Sequence, residues 1–192
     1  MSKRNLLIQQ TTRNYEGHKD FFPTPGWATR ALFEYVVKPT GTVLEPASGH
    51  GHMTRVLQEY GMEVTERDLM HGDDYMKDDR EENFDWIITN PPFTLGKEFV
   101  IKSLSKGDNV AMFVRQNFLE GQRRYAELFS KYPPSKIAIF TQRVGLKYGK
   151  VVDMSSAVGY VWIVWEKGIT NTEFIWIPPC KVELAKPEDY DE

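Results

Sequence analysis

Over residues 26–37 the apolar side chains Trp27, Ala31, Leu32, Tyr35 and Val36 recur at three- and four-residue intervals. That spacing predicts a helix, closed by Pro39, Thr40 and Gly41. Thr42-Val-Leu-Glu45 is a short apolar run ending on a carboxylate, the pattern of a buried strand. The helical interval returns over 52–60 through Met53, Val56, Leu57 and Tyr60, with Gly61 as its C-terminal stop. Residues 62–67 predict a second strand, and Phe84-Asp-Trp-Ile-Ile-Thr89 a third. Beyond them the pattern predicts helices over 97–104 and 123–131, the latter ended by Pro133-Pro134. It predicts strands over 109–115, 136–141 and 157–166, the last rich in Val, Tyr and Trp. Strands alternating with helices imply an α/β fold, doubly wound about a mainly parallel sheet. In that fold Tyr160, Trp162 and Trp165 belong to the sheet core rather than to a stacking platform.

Composition narrows the class. A length of 192 residues fits one domain, and 41% hydrophobic with 27% charged residues argues against a disordered or membrane protein. No apolar run approaches the ~20 residues that span a bilayer, and the basic start Met-Ser-Lys-Arg-Asn lacks an apolar core, so a cytoplasmic, unprocessed chain is expected. A single cysteine, Cys180, allows no internal disulfide and has no neighbouring histidine to activate it, so it is expected to be structural. Net charge is −3 but unevenly spread. Arg115, Arg123, Arg124, Arg143 and Lys147 lie in a basic stretch and are candidate nucleic-acid contacts. Residues 1–19 form a polar N-terminal segment, and 183–192 an acidic tail expected to be solvated.

Two segments carry chemistry. Val43-Leu-Glu-Pro-Ala-Ser-Gly-His-Gly51 joins a predicted strand to a predicted helix, where glycines permit tight turning and close approach of a ligand. It lacks a third glycine at dinucleotide spacing, and Glu45 at the strand end would repel a pyrophosphate. A carboxylate there suits a cationic ligand. Asn90-Pro-Pro-Phe93 ends the third strand. Its prolines stiffen the chain, so the Asn90 amide oxygen and the Pro91 carbonyl are two fixed acceptors for the hydrogens of one amino group. Phe93 offers a face to a planar base. His50, His52 and His71 with Asp73 or Asp74 could be drawn as a metal site, but their spacing fits no zinc pattern and no metal is expected.

In their order along the chain these segments resemble the S-adenosylmethionine-dependent DNA adenine-N6 methyltransferases, the short phage-type members in particular. The resemblance covers residues 20–166 and implies a Rossmann-like, seven-stranded methyltransferase domain over 20–182, with S-adenosylmethionine as cofactor and DNA as partner. It matches Asp20-Phe-Phe-Pro-Thr-Pro25 to the family's aromatic, proline-flanked cofactor segment, and Glu45-Pro-Ala-Ser-Gly-His-Gly51 to its glycine loop. The implied cofactor contacts are Phe21, Phe22, Thr24, Pro25, Glu45, Pro46, Ala47, Gly49 and Gly51. Asp68 (with Glu66 as rival) would hold the ribose, and Asp74 (or Asp73 or Asp78) the adenine amino group. Asn90, Pro91, Pro92 and Phe93 match the catalytic tetrad, with Asn90 also near the cofactor. The sizeable target-recognition insert of restriction-system members is missing. The same tetrad serves cytosine N4, RNA adenine and protein glutamine, and a non-catalytic cofactor-binding module is a further alternative.

Overall fold

The computed structural model describes residues 21–153 and 156–190, and the predicted N-terminal segment 1–19 lies outside them. Strands β1 (Thr42–Glu45), β2 (Glu63–Glu66), β3 (Phe84–Thr89), β4 (Gly107–Arg115) and β5 (Lys136–Phe140) alternate with helices, except that two 3-10 turns (Leu69–His71 and Tyr75–Lys77) separate β2 from β3. The helices are α1 (Gly26–Tyr35), α2 (His52–Glu59), α3 (Gly96–Ser103) and α4 (Gln122–Arg124), which runs on into a π-helical turn, Tyr125–Phe129. After β5 come a small hairpin, β6 (Leu146–Lys147) with β7 (Lys150–Val151), then β8 (Tyr160–Trp165), β9 (Glu173–Ile177) and a helical turn α5 (Lys181–Leu184).

The main sheet has seven strands in the order β2-β1-β3-β4-β8-β5-β9, and within it only β8 runs against its neighbours. The cause is the connection. A helical crossover carries the chain from β4 to β5 and keeps the direction, whereas β5 and β8 are joined through a hairpin, with no helix among the described residues, so the chain returns reversed. The mainly parallel α/β expectation therefore holds. Its seventh strand is β9, which the apolar pattern did not mark.

Both faces of the sheet are covered, which is why the strands read as continuous apolar runs. Val43, Trp86, Ile88, Phe113 and Trp162 pack against α1 and α2, while Leu44, Ile87, Met112, Val161 and Ile163 meet Phe99 and Val100 of α3. Tyr160, Trp162 and Trp165 are all buried, as expected of core.

The acidic tail is not a solvated end. Asp189 is 8% exposed and grips Arg30 of α1 with both oxygens, at 2.8 and 2.9 Å, while Glu59 of α2 takes the guanidinium at 2.9 Å. Arg30 sits on the buried face of α1, where a charge must be paired. An acidic run reads as solvated until such a partner is known.

Candidate active site

β2 lies on one flank of β1 and β3 on the other, so the loops leaving β1 and β3 diverge. A crevice opens at such a reversal, beyond the carboxyl ends of the strands. Here it is a cavity of about 300 Å³. Glu45 ends β1 on its wall and Pro46 and Ala47 follow, Asp68 follows β2, and Asn90 and Pro92 follow β3. Asp73 and Asp74 come from the loop after β2, and Phe21, Phe22 and Thr24 from the segment before α1. Residues separated by almost seventy positions thus face one space.

Pro25, Gly49, Gly51, Pro91 and Phe93 are not on that wall. Pro25 precedes the first turn of α1. Gly49 and Gly51 adopt positive φ, 54° and 71°, and so turn the loop into α2. A side chain at Gly49 would begin 2.4 Å from the Phe21 ring, so the close approach this glycine permits is to Phe21. Asp68 accepts the Gly49 and Met70 N–H groups at 2.8 and 2.7 Å, tying the glycine loop to the end of β2. Its rival Glu66 is off the wall. Asp74 accepts from the Met76 N–H at 3.1 Å and pairs with Lys77 at 2.9 Å, and Asp73 pairs with Arg80 at 2.9 Å. Asp78 lies off the wall, buried against Arg67 at 2.8 Å.

Glu45 is 2% exposed and accepts a hydrogen bond from the Thr54 hydroxyl at 2.7 Å. Burial pushes its carboxyl up to about 8; the Thr54 bond opposes the shift, and the carboxylates of Glu66 and Asp68 add to it. His52, also on the wall, has an Arg55 guanidinium 2.7 Å from Nδ1, and burial followed by the Arg55 and His50 charges lowers it to about 4. It is therefore neutral. The apolar wall residues Leu69, Met76 and Phe99 were not singled out in the sequence, where their spacing reads only as core or loop.

Asn90 is held in one orientation. Its amide nitrogen donates to the Phe22 carbonyl at 2.9 Å and to Thr24 Oγ1 at 3.1 Å. A carbonyl can only accept, so the nitrogen must face Phe22 and Oδ1 must point the other way. Oδ1 is buried with no hydrogen-bond partner among the described residues. An orphaned acceptor of this kind costs roughly 1–3 kcal/mol until a donor arrives. Phe93 packs on Phe22 with ring centroids 5.2 Å apart, and the Arg115 guanidinium lies 3.8 Å over its ring. Arg115, a predicted phosphate contact, is thus half-buried behind the tetrad. Arg123, Arg143 and Lys147 are exposed, and Arg124 lies over Phe118 at 4.9 Å. Cys180 is buried, which pushes its thiol up to about 11, in line with a structural role.

No protein-family model matches the chain, and no curated protein is similar to it in sequence. Solved structures are similar in architecture. A candidate RNA methyltransferase from Pyrococcus horikoshii has 15% identity and a TM-score of 0.50, over 86% of this chain and 99% of the other. The fold is the Rossmann-like methyltransferase fold. A human methyltransferase 10 domain containing protein has 12% identity and a TM-score of 0.37, over 84% of this chain and 92% of the other. The 23S rRNA methyltransferase ErmE has 12% identity and a TM-score of 0.43, over 79% and 71%. No helix among the described residues is long and apolar enough to cross a membrane.

Proposed function

We propose that this chain transfers a methyl group from S-adenosylmethionine to an exocyclic amino group of a nucleic-acid base, N6 of adenine in DNA. The observation that carries the reading is the buried, unpartnered Oδ1 of Asn90 beside the cavity. It is an acceptor with no donor among the described residues, where an amino group would bring one.

The cavity suits the cofactor. Asp68 and Asp74 face a ligand that carries sulfonium and ammonium charges and disfavour a phosphate-bearing one, and Glu45 becomes a further carboxylate when a cation meets it. Leu69, Met76 and Phe99 offer apolar surface to an adenine ring. Following the resemblance, Asp68 would hold the ribose hydroxyls and Asp74 the adenine amino group. When bound, the cofactor supplies an electrophilic methyl on a positively charged sulfur. The chain then has to orient the acceptor. Asn90 Oδ1 and the Pro91 carbonyl accept the hydrogens of the amino group, and Phe93 supports the ring, so the nitrogen lone pair turns toward the methyl. Catalysis of this kind rests on positioning and fixed dipoles. A paired base must first leave its stack, at a cost of a few kcal/mol.

A second reading, adenine in RNA, is favoured by the architectural likeness to the Pyrococcus protein described as a candidate RNA methyltransferase. The test incubates the protein with labelled S-adenosylmethionine and DNA, RNA or protein, and identifies the modified residue by mass spectrometry. N6-methylated deoxyadenosine is expected. Label only in RNA adenine would move the substrate to the second reading, and label in cytosine, in glutamine or nowhere would overturn the adenine assignment. Asn90→Ala should keep the parent's unfolding transition yet lose about a hundredfold in rate, the effect of removing about 3 kcal/mol of aligned hydrogen bonding.

A further inference from the structure

Thr94, next to the tetrad, lines the cofactor cavity and also a second groove of about 390 Å³. That is enough for a ligand the size of one nucleotide, since ligand pockets run from about 300 to 1,000 Å³. Phe93 and Phe118 lie on the groove's wall together with Lys97, Arg123 and Arg124, against Glu98 as the one acidic residue there. The cations differ in their engagement. Lys97 and Arg123 share Glu127, whereas Arg124 has no carboxylate partner among the described residues and lies over the Phe118 ring at 4.9 Å. The Arg123 side chain is 79% exposed even so.

The backbone around these residues is unusual. Gly121 sits at φ 112°, where a side chain would be strained and would begin 3.6 Å from the Arg124 guanidinium. Directly after Arg124 the helix widens into the π-turn, a feature frequent at functional sites. The turn begins at Tyr125, which is 67% exposed. Cations interleaved with aromatic faces are what an unpaired nucleic-acid strand needs, phosphates meeting the charges and bases meeting the rings. A protein partner of this groove would have to be acidic.

We propose that this groove seats the nucleotide adjacent to the target base, with its phosphodiester on Arg123 and Arg124 and its base on the outer face of the Arg124 guanidinium, which the Phe118 ring backs. The inference rests on the methyl-transfer reading and adds a substrate class to it: a strand unpaired at that position, since a base within a duplex has its faces covered by its neighbours.

The experiment measures anisotropy of labelled single-stranded DNA, single-stranded RNA and duplex DNA across a salt series, for the parent, Arg123→Ala, Arg124→Ala and Phe118→Leu. Cofactor affinity is followed separately by calorimetry with S-adenosylmethionine. Each arginine variant should flatten the salt dependence for single strands by about 0.7 in log–log slope, with cofactor affinity unchanged. Phe118→Leu, by removing the ring behind Arg124, should weaken single strands about threefold at an unchanged slope. The comparison of DNA with RNA identifies the strand. Unchanged slopes in both arginine variants would overturn the groove assignment, as would duplex bound as tightly as single strands, or no oligonucleotide binding by a protein that binds S-adenosylmethionine. Failure to bind S-adenosylmethionine itself would sink the methyl-transfer reading and leave the groove to be judged by its slopes. Because Phe118 is mostly buried, the arginine variants decide the outcome if Phe118→Leu fails to fold.

Discussion

Glu45 shows how burial changes the meaning of a residue already legible in the sequence. As a letter at a strand end it is a negative charge, but in the fold its carboxyl is pushed up to about 8 and stays protonated at neutral pH. The unfolded chain gives up that proton near 4.5. Between these values the native state binds the extra proton, so its stability falls as pH rises from about 4.5 to about 8. Glu45→Gln should flatten that fall, read from chemical denaturation across the same range. A cationic ligand has the opposite linkage: it favours the carboxylate, so binding expels a proton and tightens with pH up to about 8. Calorimetry in buffers of different ionisation heat would measure the release, and a heat independent of buffer would show that no cation meets Glu45. Asn90 was legible from its motif alone. Its amide oxygen was expected as the acceptor; what holds it in that orientation was not legible, because Phe22 and Thr24 lie nearly seventy residues earlier in the chain.

At the scale of elements, the strands and helices that position the site could be read from apolar spacing, and β9 could not. In Glu173-Phe-Ile-Trp-Ile177 the largest side chains, Phe174 and Trp176, point outward and are 50% and 65% exposed, so apolar character does not report burial there. The fastening of α1 to the tail was also hidden, since pairing of Arg30 with Asp189 spans 159 positions. Asp189→Ala leaves the buried guanidinium with Glu59 as its one carboxylate among the described residues, beside the Leu184 carbonyl at 2.8 Å. The expected loss is about 3 kcal/mol, at the lower end for a broken buried pair, measured as a shift of the urea midpoint. Glu188→Ala, an exposed neighbour, should change stability by no more than about 0.5 kcal/mol.

For the whole molecule, alternation of strands and helices was enough to imply the fold class, and strand order was not legible because it depends on which edge each crossover reaches. The cavity draws its wall from the parallel half, β2-β1-β3, and from the segments around it. β8 contributes no side chain to that wall, yet it stands between β4 and β5 and buries all six of its residues. Because it follows β5 in the chain, a partly folded molecule without it bares the edges of both β4 and β5, each lined with apolar side chains. Bare edges of this sort pair with whatever strand is nearest. Refolding should therefore lose protein to aggregates in proportion to concentration. Trp162→Ala, by loosening the inserted strand, should make that loss visible by light scattering at concentrations where the parent refolds cleanly.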